Sequence, residues 1–193
     1  MSYSTTMPTA RRKSRFSTKR MITNALLAAV YFALTYFVIK PAGETLKITF
    51  ASLALIVTAL LYGPTDACIV ALIGEFLYQT IIYGVTATMP IWLIPPVLHA
   101  LVLGLFSKLL GKGGKPLDMR PVACYAVCVG SAVMNSMFNS VALYADSKIW
   151  GYYRPGIVLT MMVVRLLLAV ATALLVTLVA MPLVQALRKQ RVA

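Results

Sequence analysis

The feature that most constrains this chain is a series of long apolar segments separated by clusters of basic residues. Six segments follow one another, at 22–39, 48–62, 66–83, 90–110, 121–144 and 155–187. Most come close to the roughly 20 residues with which an α-helix crosses a hydrocarbon core. Lipid admits only helices and closed barrels, and these segments lack the alternating pattern of a barrel. The sequence therefore predicts an all-α integral membrane protein with six transmembrane helices.

The placement of positive charge predicts the orientation of these helices. The net charge is +13, and the basic residues gather at 11–20, 108–120 and 188–191. With six crossings all three clusters lie on one side, and the positive-inside rule makes that side cytoplasmic, including both termini. We expect a basic cytoplasmic tail at 1–20, a single six-helix transmembrane domain at 21–188 and a basic tail at 189–193. A nucleic-acid-binding domain is disfavoured, because its charges would be interleaved with a soluble fold.

The fourth segment carries two adjacent prolines. Pro95 and Pro96 lie a short way into it and lack the amides that a helix needs. They are expected to break or bend the outer end of the helix beside protein or a water-filled cavity. The alternative is that this helix begins at Pro96. Nearby, Met89 to Ile94 is a candidate lid over the outer side, as is Pro41 to Lys47.

A few polar residues lie at membrane depth, where their default interpretation is a functional site. Glu75 and Arg165 each lie far from either end of their segments. Residues three, four or seven apart share one helix face. This groups Glu75 with Gln79, Trp92 with His99, and the fifth-segment stripe of Ser131, Asn135, Asn139, Ala142 and Asp146. All three sets run from mid-membrane toward the outside. The pattern predicts an outward-opening cavity lined by helices three to six, with Arg165 at its floor.

Each of these residues also has a purely structural interpretation. The asparagines could hydrogen-bond to neighbouring helices, and Glu75 could form an internal ion pair with Arg165. Trp92, Tyr144, Tyr152 and Tyr153 could belong to an interfacial aromatic belt. Tyr144 and Trp92 would equally cover a planar ligand.

Catalytic and metal-binding motifs are missing from the sequence. His99 is the only histidine, and no phosphate loop, nucleophile elbow or paired acidic motif occurs. We predict no metal site and no enzymatic activity. A membrane enzyme and a small channel or structural protein remain the alternatives to a binding protein.

The first segment carries three alanines spaced four residues apart, Ala25, Ala29 and Ala33. Small residues at this spacing let a second helix approach closely. This face is a candidate docking surface for a partner.

Three stretches together resemble a known family: "LKITFASLALIVTALLYGPTDACIVALIGEFLYQTIIYG", "MPIWLIPPVLHALVLGLF" and "MNSMFNSVALYADSKIWGYY". The chain resembles the S components of energy-coupling factor (ECF) transporters, nearest to their folate family. The most specific features are the "LYGP" turn, Gly74 with Glu75, and the asparagine stripe.

The resemblance implies a six-helix membrane subunit that captures a vitamin or related micronutrient from outside, with a folate-like ligand as the best guess. It implies partnership with a transmembrane coupling subunit of the EcfT type, docked on Ala25, Ala29 and Ala33, and with two ABC ATPase subunits. ATP would be used by those subunits, so no cofactor is expected in this chain. The expected location is the bacterial cytoplasmic membrane, with membrane lipid as the surrounding partner. The expected ligand-binding residues are Glu75, Gln79, Trp92, His99, Asn135, Asn139, Tyr144, Asp146 and Arg165.

Overall fold

A computed structural model of the protein describes residues 18–37, 48–111, 116–153 and 155–192, without the side chains of 155–161 and 191–192. Within these residues the chain forms six α-helices: α1 (Thr18–Tyr36), α2 (Ser52–Leu61), α3 (Pro64–Tyr83), α4 (Met89–Gly111), α5 (Pro121–Ile149) and α6 (Pro155–Val192). A short 3₁₀ helix, Leu117–Met119, precedes α5. The predicted all-helical fold is confirmed, whereas the predicted lid at 41–47 lies outside the described residues.

Not all six helices are equally suited to cross a membrane. Among the described residues, four helices are long and apolar enough, namely α3, α4, α5 and most of α6. Helix α2 has 10 residues, which at 1.5 Å per residue is only about 15 Å long. Helix α1 begins with Thr18, Lys19 and Arg20, which lower its hydropathy. The helices thus support the prediction of a multi-pass membrane protein. Helix α2 is too short, and helix α1 too polar at its start, to match the four apolar helices.

The short helix α2 lies in the centre of the bundle. It contacts α1, α3, α4 and α6, and the run from Ala54 to Ala59 is buried throughout. A short helix that is apolar on every side is typical of a buried position, where other helices surround it. The sequence signal of a short, uniformly apolar segment therefore corresponds to a core position.

The turn between α2 and α3 brings α4 close to the start of α3. Gly63 has φ of 94°, a conformation that glycine adopts without steric cost, and Pro64 begins α3. Gly104 of α4 packs directly on this proline, since a Cβ at Gly104 would lie 2.3 Å from the Pro64 Cα.

We expect Gly104→Ala to lower the free energy of unfolding by about 1–3 kcal/mol, because the added methyl overpacks a rigid backbone contact. Thermal unfolding in detergent measures this change. Gly130→Ala is the matched control, because a Cβ at Gly130 would meet no atom within 4 Å. Equal unfolding temperatures in the two variants would contradict the close packing of α3 on α4.

The two prolines of α4 do not start or interrupt the helix. Pro95 and Pro96 are buried inside a helix that runs from Met89, so the alternative start at Pro96 is wrong. Both fall in the second turn, where the lost bonds are those to the carbonyls of Ile91 and Trp92. Met89 to Ile94, predicted as a lid, is the first part of the same helix.

Ion pairs close the end of the bundle at which α1 begins and α6 ends, here called the basic end. Arg20 bonds to the buried Asp66 carboxylate, and Asn24 donates to it at 2.8 Å. Arg188 donates to the buried Asp118 at 2.9 Å. Helices α1 and α6 include residues 18–20 and 189–192, which were predicted as parts of the basic tails. Residues 1–17 and 193 lie outside the described part.

Candidate functional site

A cavity of about 250 Å³ lies in the half of the bundle remote from the basic end. All six helices contribute to its wall, and we call it the polar pocket. Its polar side chains are Tyr31, Thr35, Thr49, Ser52, Glu75, Tyr78, Gln79, Trp92, His99, Asn135, Ser136, Asn139, Arg165 and Thr172. Hydrophilic groups at membrane depth are thus concentrated around one void.

Most of the residues predicted to bind a ligand line this pocket. They are Glu75, Gln79, Trp92, His99, Asn135, Asn139 and Arg165. They reach it from α3, α4, α5 and α6, the four helices named in the sequence prediction. The structure thus places them around one shared cavity, and their role in binding stays a prediction.

Tyr144 and Asp146, also predicted to bind a ligand, do not line the polar pocket. The Tyr144 ring packs edge-on against Tyr153 at 5.3 Å, and Asp146 accepts a hydrogen bond from the Tyr152 hydroxyl. Lys148 lies over the Tyr153 ring at 4.3 Å. Helix α5 has 29 residues, so its polar face extends past the cavity and ends in this separate aromatic cluster.

The hydrogen bond of Tyr152 is maintained at neutral pH. Burial and the hydrogen bond with Asp146 raise the pKa of Tyr152 to about 12. The Tyr152 hydroxyl therefore loses its proton only at a more alkaline pH than a free tyrosine does. This bond connects the end of α5 to the segment that leads into α6.

The Glu75 carboxylate accepts hydrogen bonds from Tyr31 and Gln79. Tyr31 Oη donates to Oε2 at 2.9 Å, and Gln79 Nε2 donates to Oε1 at 2.8 Å. All three residues are buried, so the donors act where water is scarce and charge-assisted bonds are strong. The arrangement presents an oriented acceptor to the polar pocket.

Helix α5 contributes an acceptor that lacks a donor. Asn139 Nδ2 donates to the Asn135 backbone carbonyl at 3.0 Å. The Asn135 side-chain oxygen Oδ1 is buried and has no hydrogen-bond partner within the described residues. Buried polar atoms normally have partners. Oδ1 itself is enclosed, so a donor in the pocket would meet it only after the Asn135 side chain turned toward the void.

Two pocket residues of α1 were missed in the sequence prediction. Tyr31 and Thr35 are buried and line the pocket, and Thr35 donates to the Tyr31 carbonyl at 2.8 Å. Their spacing of four residues was a usable signal. The alanine pattern lies on the opposite, exposed face of the same helix, and only that face was given a role from the sequence.

We expect Tyr31→Phe to lower the free energy of unfolding by about 1–2 kcal/mol, because Glu75 loses a donor in a buried site. Thermal unfolding without ligand measures the loss. Tyr36→Phe is the matched control, since Tyr36 lies on the same helix and is 53% exposed. A Tyr31→Phe protein as stable as Tyr36→Phe would contradict an energetically important bond to Glu75.

Metal ligands do not gather in the part of the chain that the structure describes. No group of three His, Cys, Asp or Glu side chains there is placed to hold a metal ion. The chemistry available in the polar pocket is instead hydrogen bonding, charge and aromatic contact. Such a set of groups is suited to binding an organic ligand.

One family model covers most of the chain. Residues 15–189 match the family model described as the S component of the ECF-type riboflavin transporter. The solved S component of a bacterial ECF transporter superposes with a TM-score of 0.63 at 18% identity, covering 89% of this chain and 96% of that one. A UPF0397 protein of Leuconostoc citreum (strain KM20) is 34% identical over 107 residues, which are 54% of this chain and 55% of the relative. The chain thus matches only about half the length of that relative, and the structural match shows the shared fold.

Proposed function

Because the chain belongs to the family of ECF-type riboflavin transporter S components, we propose that it captures a vitamin or related micronutrient in its polar pocket. The resemblance to S components inferred from the sequence is confirmed. This family consists of transporter subunits, not enzymes. The folate subtype stays a prediction beside the riboflavin name of the matching family.

The observation that carries the proposal is the convergence of polar groups from all six helices on one cavity. Placing a carboxylate and a guanidinium at membrane depth costs several kcal/mol unless they have a function or partners. If these groups served only to join helices, they would be expected at separate helix contacts. Their common void supports ligand binding.

The lining favours a ligand with a planar, hydrogen-bonding ring. Glu75 and Asn135 offer acceptors, Arg165 offers a forked set of donors for a carboxylate or carbonyl, and Trp92 offers an aromatic face. The cavity of about 250 Å³ lies just below the roughly 300–1,000 Å³ of most ligand sites. It suits a single ring system, with a longer side chain extending toward the pocket mouth.

The exposed face of α1 is suited to docking a partner subunit. Ala25, Ala29 and Ala33 are all exposed on the surface of the bundle, beside the exposed Leu26 and Val30. A row of alanines lets a second helix pack closely without a large side chain between the two. We propose that a transmembrane coupling subunit docks here and that two ABC ATPases supply the energy, in the cytoplasmic membrane of a bacterium.

Ligand screening of the purified chain tests the proposal. Riboflavin, folate and pantothenate are each added to the protein in detergent, and the unfolding temperature is measured. A ligand at 100 times its Kd stabilises the folded state by about 2.7 kcal/mol. Native mass spectrometry of protein extracted gently from cells identifies any other bound molecule.

The same experiments distinguish the alternatives. A carrier is stabilised by its ligand and returns it unchanged, whereas an enzyme converts it. If none of the three vitamins stabilises the chain and no small molecule is retained after extraction, capture of a micronutrient by the polar pocket is contradicted.

A further inference from the structure

A second cavity, of about 570 Å³, lies at the basic end and takes no part in the polar pocket. We call it the inner pocket. Three basic side chains line it from three helices: Arg20 of α1, Lys108 of α4 and Arg188 of α6. The turn that connects α2 to α3 completes the wall with Gly63, Pro64 and Thr65.

The acidic partners of the two arginines do not reach the inner pocket. Asp66 and Asp118 are both 0% exposed and are absent from its lining. Asp66 is also bonded to Asn24 on α1. Among the described residues, the charged groups that line the cavity are therefore all positive, although each arginine is anchored by a buried carboxylate.

Arg188 has an unmet hydrogen-bonding requirement. Its Nη2 donates to the Leu60 carbonyl at 3.2 Å and to Asp118 at 2.9 Å. Its Nε is buried and has no acceptor among the described residues. An unsatisfied buried donor on a charged group is costly, and the Arg188 side chain, which is 34% exposed, would have to turn toward the cavity for this donor to meet an anion there.

The start of α3 adds positive potential to the same cavity. This helix has 20 residues, and its first turn lies in the pocket wall. Helix N-termini carry partial positive charge and unpaired amides, which favour phosphate groups. Asp66 lies in the same first turn and offsets part of this potential, so the basic side chains make the larger contribution to the preference for an anion.

We propose that the inner pocket is a binding site for a phosphate-type anion. The forked donors of arginine match phosphate oxygens, and the flexible ammonium of Lys108 supplies a mobile point charge at the rim. Two sources carry this chemistry: the headgroup of an anionic phospholipid, and soluble inorganic or organic phosphate. The site is separate from the polar pocket and does not depend on which micronutrient that pocket binds.

The test uses the full chain in a neutral detergent. Unfolding temperature is followed while phosphatidylglycerol or phosphatidylcholine is added, and separately while inorganic phosphate replaces chloride at equal ionic strength. We expect stabilisation by phosphatidylglycerol over phosphatidylcholine, or by phosphate over chloride. The first result assigns the site to a lipid headgroup and the second to soluble phosphate, and either supports the proposal.

Charge variants connect the effect to the inner pocket. Lys108→Gln removes an exposed lining charge that forms no ion pair with any residue in the described part of the chain, so we expect the fold to be retained. We expect it to raise the half-saturating anion concentration by about fivefold. Lys189→Gln is the matched control, because Lys189 is exposed at the same end but does not line the cavity. Absence of stabilisation in the parent protein, or equal shifts in the two variants, would overturn the proposal.

Discussion

Replacing Arg165 by alanine is expected to abolish high-affinity binding of the micronutrient identified by the screen, with a loss of more than about 100-fold in affinity. Arg165 lines the polar pocket from α6, and Glu75 lines the same pocket from α3. Each hydrogen bond to a charged group contributes about 1.5–3 kcal/mol, and every 1.4 kcal/mol is about tenfold in Kd. A bidentate contact therefore accounts for the predicted loss. Isothermal titration in detergent measures it.

Two further variants show whether the loss is specific to the guanidinium. Arg165→Lys keeps the charge but not the planar fork, and we expect it to recover only part of the affinity. Lys148→Ala removes a cation outside the pocket, near Tyr153, and is expected to bind as the parent does. If Arg165→Ala binds with the affinity of the parent protein, Arg165 is not a ligand group.

The second large effect is expected at the exposed face of α1. Changing Ala25, Ala29 and Ala33 together to leucine should stop uptake in cells while ligand binding by the purified subunit is unchanged. The added side chains would hold a partner helix away from a surface that allows close approach. The two readouts are radiolabelled uptake in cells that carry the coupling and ATPase subunits, and titration of the isolated protein.

The control is the same change on other helices. Ala126 of α5 and Ala171 of α6 are also exposed, and their replacement by leucine should leave both uptake and binding intact. Persistent uptake by the α1 triple variant would place the coupling surface elsewhere. Loss of binding in the triple variant would instead show that the substitutions disturb the bundle.

Many residues of the polar pocket could be predicted because helical spacing alone decides which side chains share a helix face. Glu75 and Gln79 share one face of α3 whatever that helix packs against, since they are four residues apart. The same rule placed Asp146 in line with Asn139, but it cannot say where along a helix a cavity ends. Only the tertiary structure shows that Asp146 lies beyond the cavity and accepts a hydrogen bond from Tyr152 in the segment after α5.

The basic end was the least predictable region. Basic residues there were interpreted as a topological signal that positions the chain in the membrane. The structure shows in addition that Arg20 and Arg188 anchor two buried aspartates, Asp66 and Asp118. Asp118 and Arg188 are 70 residues apart, and no local pattern connects residues at that separation.

The sequence by itself determined the helices, their approximate ends and their polar faces, because hydropathy and helical period are properties of a segment and its solvent. Tertiary structure alone decided that the polar faces meet. Tyr31 reaches Glu75 across 44 residues, and α2 takes the central position because its neighbours surround it. Helix crossing and register depend on side-chain packing between distant segments, so the pocket exists only in the assembled bundle.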